Sequence, residues 1–197
     1  MKRPGQEGLA ALRRRFRALL AVVLLALLGA GLAHADDTPT EADELELEAA
    51  YLYKFANFVE WPADAFRDPG HPIVIGVMGA DALATQLEGL VRDKTVRGRG
   101  FVVRTLQPMG DLRGVHILFL GDLGRERSQA ALLAVEGSHV LTVSDRRRLS
   151  AGGAMVTLVR VKQRLRFEVS MPAVQRSRLR LSALMLTAAY RVQRGAP

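Results

Sequence analysis

From Leu45 onward, apolar residues recur at helical spacing: Leu45, Ala49, Leu52, Ala56 and Val59, with Tyr51, Phe55 and Phe58 forming a second stripe beside them. The spacing predicts an amphipathic helix over about 44–61, with Glu46, Lys54 and Asn57 on its wet side. Pro62 follows and should stop the helix near Trp61, because the residue before a proline is pushed out of helical geometry. The stretch 51–66 is the densest aromatic segment and holds the only tryptophan. A helix this apolar needs a sheet or other helices to cover it, so its packing residues read as core.

After a Pro-Gly turn at Pro69-Gly70, the pattern switches to short β-branched runs. Residues 73–77 read as a buried, parallel-type strand, and 82–91 as a helix with Leu83, Leu87 and Leu90 on one face and Asp81 as its N-cap. The basic, glycine-broken stretch 94–100 reads as a loop. Strands follow at 101–104, 115–120 and 139–143, with a helix at 128–136. The alternation predicts an α/β fold with a mostly parallel, helix-covered sheet of Rossmann or flavodoxin type. Residues 154–160 and 164–169 alternate more strictly and predict an antiparallel hairpin on one edge of the sheet. A last helix is expected over about 172–192, with Leu179, Leu184, Leu186 and Tyr190 inward.

The N-terminus changes the picture of location. Arg13–Arg17 is a basic cluster, Ala18–Leu32 is an uninterrupted apolar run of 15 residues, and Ala33-His34-Ala35 fits a small-x-small cleavage site. Such a run is short of the about 20 residues that a bilayer span needs. Residues 1–35 therefore read as a signal peptide cleaved between Ala35 and Asp36, by the general or the twin-arginine route. Residues 36–43 read as a flexible lead-in and 44–197 as a single domain that works outside the cytoplasm.

Charge then has to be counted without that segment. The whole chain carries +8, but residues 36–197 hold 22 basic and 19 acidic side chains, too mild a balance to argue for nucleic acid. The distribution says more: residues 36–70 hold ten acids and two bases, whereas 146–194 hold twelve bases and one acid, Glu168. Such a polarised chain pairs its own ends or offers a basic face to an acidic partner or surface. There is no cysteine, which excludes disulfides, thiolate metal sites and a thiol nucleophile.

Signs of catalysis are sparse. The chain has no G-x-S-x-G elbow, no H-E-x-x-H, no dinucleotide fingerprint and no P-loop. Ser144, Asp145 and His139 could be drawn as a hydrolase trio, but strand alternation would point them in different directions. No catalytic, metal or cofactor-binding residue is assigned. Two places stand out: the end of the 139–143 strand at Ser144-Asp145, because open α/β sheets bind ligands at the carboxyl ends of their strands, and the pair Gly152-Gly153 before a strand.

With these pieces in order, the chain resembles the YfiR-type family of periplasmic repressors. The resemblance rests on Phe58-Val59-Glu60-Trp61-Pro62, the strand from Ile73 to Gly79, Val96-Arg97-Gly98 before Val102-Val103, and Leu118-Phe119-Leu120. It continues through Leu141-Thr142-Val143-Ser144-Asp145, Gly152-Gly153-Ala154-Met155-Val156, Arg166-Phe167-Glu168-Val169, and the ending from Leu181 to Leu186. Two departures are noted: members often carry disulfide cysteines, absent here, and Ser170 stands where asparagine is common.

The resemblance implies a non-enzymatic regulator that binds the periplasmic part of an inner-membrane diguanylate cyclase, or of a sensor kinase, and restrains it. It also implies an outer-membrane lipoprotein as a sequestering partner. A homodimer is a separate expectation, not one the resemblance supplies. Arg146, Arg147, Arg148, Gly152, Gly153, Arg160 and Arg164 are the candidate contact residues. A small-solute binding module feeding a membrane receptor is the alternative, with a pocket near Gly79 and Ser144. A small hydrolase using Ser144 is the third reading.

Overall fold

The computed structural model of the chain describes residues 40–108, 110–145 and 153–195. Helix α1 spans Glu41–Phe58. It starts three residues earlier than its apolar stripe predicts because Thr40 caps it: the Asp43 amide donates to the Thr40 hydroxyl at 3.2 Å, and the Thr40 amide donates to the Asp43 carboxylate at 2.9 Å. These reciprocal bonds satisfy amides that a helix start leaves orphaned, and they hold the Asp43 carboxyl below its usual range. The helix also ends earlier than expected. Val59 and Glu60 are extended and form β1 (Val59–Glu60), paired antiparallel with β8 (Arg180–Leu181). A β-branched residue with a strand partner takes the strand, so the expected helix up to Trp61 stops at Phe58.

The main sheet has seven strands: β2 (Ile73–Met78), β3 (Phe101–Leu106), β4 (Ile117–Leu120), β5 (Leu141–Asp145), β6 (Val156–Val161), β7 (Arg164–Ser170) and β9 (Arg191–Gln193). Their order is β3-β2-β4-β5-β6-β7-β9, parallel throughout except for the antiparallel β6–β7 pair. The first five strands follow the flavodoxin order, with the direction of winding switching between β2 and β4. The predicted α/β class and hairpin are thus present. The hairpin is not the sheet edge, however: β9 adds beyond β7, with Glu168 opposite Arg191 and Val169 opposite Val192.

Strand alternation sorts the core into two layers. Ile73, Ile75, Val77, Ile117, Phe119, Leu141 and Val143 face α1 and α2 (Asp81–Val91); Leu52, Phe55, Leu83 and Leu87 meet them and are essentially inaccessible to solvent. Val74, Met78, Leu118 and Leu120 face the other way, onto Ala131 and Val135 of α3 (Arg125–Ala134) and the turn after it. Each such aliphatic or aromatic side chain contributes about 1.5–3 kcal/mol by leaving water. Asp81 is not the N-cap of α2 but its first residue; Ala80 takes the cap position without a side-chain bond. The acid still faces the positive end of the helix dipole.

The largest departure from expectation is the C-terminus. The helix predicted over 172–192 is not formed as one element. It breaks into α4 (Met171–Gln175), β8, α5 (Ala183–Ala188) and β9. The Ser177 hydroxyl donates to the Val174 carbonyl at 2.7 Å and accepts from the Leu179 amide at 3.2 Å, so it competes with helix continuation. Ser182 then caps α5 by accepting from the Met185 amide at 3.2 Å. The Tyr190 amide donates to the Phe167 carbonyl at 2.8 Å and starts the last strand. Two strand partners, β1 and β7, outbid helical propensity. As a result Leu184 and Tyr190, expected inward, are 64 % and 50 % exposed, and Met185 is buried instead. Among the described residues, no helix is long and apolar enough to cross a membrane.

Candidate functional site

The sequence directs attention first to the carboxyl ends of the strands, near Gly79 and Ser144. At the switch point between β2 and β4 the crevice is closed by backbone. Gly79 has φ 66°, a Cβ on it would lie 2.9 Å from the Asp122 carbonyl, and one on Gly121 would lie 2.4 Å from the Gly79 carbonyl. The Gly121 amide donates to the Met78 carbonyl at 2.8 Å and the Asp122 amide to the Gly79 carbonyl at 2.9 Å. In a dinucleotide-binding sheet, glycines at this place let a phosphate approach the main chain. Here they let one turn approach the other, and the opening is filled.

Ser144 is buried, with its hydroxyl 3.5 Å from that of Thr157. His139 lies before the start of β5, five residues and roughly 17 Å of extended chain away from Ser144. The strand does not assemble Ser144, Asp145 and His139. Among the described residues, no group of three or more His, Asp or Glu could hold a metal ion.

A groove of about 300 Å³ lies instead between the last turn of α3 and the segment after α4. Leu132, Leu133 and Glu136 form one wall, Ala173, Arg176 and Ser177 the other, and Thr142, Gly153 and Met155 the floor. Glu136 and Arg176 link the two walls at the rim as an exposed ion pair at 3.0 Å. The Met155 amide donates to the Thr142 hydroxyl at 2.9 Å, fixing the start of β6 to β5. A Cβ on Gly153 would meet the Leu132 side chain at 3.0 Å, so the glycine lets α3 settle on this part of the sheet. Leu133 is 69 % exposed, the most exposed large apolar side chain among the described residues. Its only signal in the sequence is a leucine off the apolar stripe of a short polar helix.

Of the other sequence candidates, Arg160 and Arg164 sit at the far end of the β6–β7 hairpin, roughly 20 Å of extended strand from Gly153. The structure does not bring them together with Gly153. Arg160 is committed to Glu44 of α1 in a partly buried ion pair. Arg164 is exposed beside the hairpin turn. In that turn Lys162 and Gln163 both have positive φ, 46° and 60°, the geometry of a type I′ turn in which Asn-Gly is the favoured pair. Arg146, Arg147, Arg148 and Gly152, and the cleavage residues Ala35 and Asp36, lie outside the described residues.

At the opposite, amino-terminal edge of the sheet, His116 fills a knot of aromatic rings. Its imidazole stacks on Phe66 with centroids 4.4 Å apart and meets Trp61 edge-on at 6.2 Å. Its Nδ1 accepts from the Val74 amide at 3.0 Å, so the proton sits on Nε2, which donates to the Ala65 carbonyl at 3.1 Å. Burial pushes its pKa down to about 4, and the positive charge of nearby Arg99 and His71 pushes the same way against the Ala65 bond. The Trp61 indole donates to the His139 carbonyl at 2.9 Å, and Arg99 lies 3.8 Å over the Phe66 ring while donating to the Asp68 and His71 carbonyls. The tryptophan that ends the aromatic stretch thus staples the segment after α1 to the sheet. Both ring nitrogens of His116 and the Trp61 indole nitrogen are engaged, which makes the knot architecture rather than a reactive centre.

No curated protein matches this chain in a sequence comparison. A family profile does: the one described as YfiR/HmsC-like matches residues 45–190, from the first turns of α1 to the residue before β9. That span covers the switch-point glycines, the groove and the hairpin alike. The chain belongs to the YfiR/HmsC-like family.

Proposed function

We propose that this protein acts in the periplasm as a docking regulator, binding the periplasmic part of an inner-membrane diguanylate cyclase and restraining it. The family is one of regulators of diguanylate-cyclase signalling at the periplasm, and its members act without catalysis. The observation that carries the reading is the contrast between the filled switch point and the open groove. The place where an α/β sheet normally takes a small ligand is packed with backbone, while Leu133 stands exposed over a groove floored by Gly153. The Arg146–Arg148 run and Gly152 adjoin Gly153 in sequence and extend the proposed contact. Export through cleavage at Ala35 and Asp36 places the domain on the same side as such a partner. An outer-membrane lipoprotein that competes for the same surface would release the cyclase.

Restraint requires differential affinity. The regulator must bind the inactive cyclase more tightly than the active one, and each tenfold of preference shifts the equilibrium by about 1.4 kcal/mol. Leu133→Asp tests the groove without touching the core. Capture of the cyclase from membranes should fall at least tenfold, and cellular cyclic di-GMP should rise to the level of a deletion strain. Unaltered capture by that variant would remove the groove from the interface; no capture by the wild-type chain would remove the reading.

A further inference from the structure

The hairpin end carries a second surface with its own chemistry. Lys162, Arg164, Arg166 and Tyr190 surround an open basin of about 720 Å³ floored by Ala188 and Ala189. The three cations are exposed. Arg164 and Arg166 are alternate residues of β7, so their side chains leave the same face of the sheet, roughly 7 Å apart, opposite to the buried Phe167 and Val169. Tyr190 is half exposed beside them. The turn keeps Lys and Gln in left-handed geometry where Asn-Gly would be unstrained, which retains a long cationic side chain at the rim.

We propose that this basin binds an extended, carboxylate-bearing segment of a protein partner; the inference rests on the docking reading and names the chemistry of a second contact. Alternate carboxylates of an extended peptide repeat at the same roughly 7 Å as the two guanidinium groups. A guanidinium takes a carboxylate through two parallel N–H···O bonds, which an ammonium does not. Between them, Tyr190 and the two alanines receive the apolar part of the segment, and arginine with tyrosine is the usual pair of anchors at protein interfaces. The match in spacing and the bidentate geometry select carboxylates fixed along a peptide strand over an anionic bilayer, whose head groups hold no fixed register.

The test uses the protein purified from the periplasm and a fluorescein-labelled peptide of alternating Glu and Thr, with its Gln and Thr counterpart as control. The Glu peptide should bind at least tenfold tighter than the Gln peptide, and the double variant Arg164→Glu/Arg166→Glu should lose at least tenfold of that affinity. Equal binding of the two peptides, or binding untouched by the double variant, overturns the proposal. So does tighter retention on phosphatidylglycerol vesicles than on the peptide, or displacement of the peptide by millimolar pyrophosphate, since either result makes the site one for phosphate groups. If the double variant still captures the cyclase from membranes at wild-type strength, this inference fails while the docking reading stands. If the wild-type chain captures none, the docking reading fails, whatever the peptides do.

Discussion

Two ends of the molecule handle polar groups in opposite ways. At the knot around His116, both imidazole nitrogens and the Trp61 indole have partners, the imidazole stacks on Phe66, and burial keeps it neutral. At the β6–β7 tip, Lys162, Arg164 and Arg166 project into solvent from a turn held in costly left-handed geometry. Buried polar groups must be satisfied or the fold loses stability, so the knot is constrained by folding alone. Exposed cations add little to stability, so nothing in folding explains why they are gathered beside a half-exposed tyrosine. The first region shows what holds the domain together, and the second shows what it has left to offer.

The sharpest way to break this comparison is at His116. Replacement by Phe keeps a ring of similar size for Phe66 to stack on but leaves the Val74 amide and the Ala65 carbonyl without their partner. The expected loss is about 3 kcal/mol in urea unfolding, from two unmade hydrogen bonds at a buried site. A loss below about 1 kcal/mol would mean that the knot is ordinary packing.

The same residue sets an acid dependence. The folded pKa of about 4 lies below the ordinary histidine value near 6.5, so between these two pH values the unfolded chain binds more protons. Stability is therefore full above about pH 6.5 and falls as pH drops towards 4, by up to roughly 3 kcal/mol from this one group. Stability curves at pH 7 and pH 4.5 should show the loss in the wild type, and a flatter profile in His116→Phe. An unchanged slope in the variant would assign the acid sensitivity to other groups.

The smallest effect is expected at the tip. Gln163→Gly relieves one left-handed residue and should stabilise the domain by about 0.5–1 kcal/mol, after allowing for the greater freedom of glycine in the unfolded chain. A melting temperature that falls on this substitution would show that the Gln163 side chain makes a stabilising contact, and would weaken the view that the turn is strained.

Much of the architecture was legible before the structure. The β-branched runs at Ile73–Met78, Ile117–Leu120 and Leu141–Asp145 are buried on both faces, and only a central parallel strand asks for that pattern. The aromatic stripe of α1 likewise read as core: Phe55 is 1 % exposed, with Tyr51 and Phe58 half-buried beside it. Residues 172–192 misled because their leucine spacing suits a helix, while β1 and β7 offered open strand edges in space that a one-dimensional pattern does not display. Arg160 looked equivalent to Arg164 for the same reason: its partner Glu44 is 116 positions away in the chain. Gly79 could be read as a ligand glycine because the sequence does not say whether ligand or backbone will come close to it.

By itself, the sequence determined the elements whose side chains can be satisfied in only one environment: the core strands, the amphipathic α1, the glycine-dependent turns and the gross separation of acidic from basic halves. Only the tertiary structure decided which cations were consumed internally, that the switch point was closed, and that an exposed leucine stood over a groove. Hydrophobic periodicity is a local property of the chain and survives without knowledge of neighbours. Pairing, closure and exposure depend on residues distant in sequence, and they exist only once the sheet has brought those residues together.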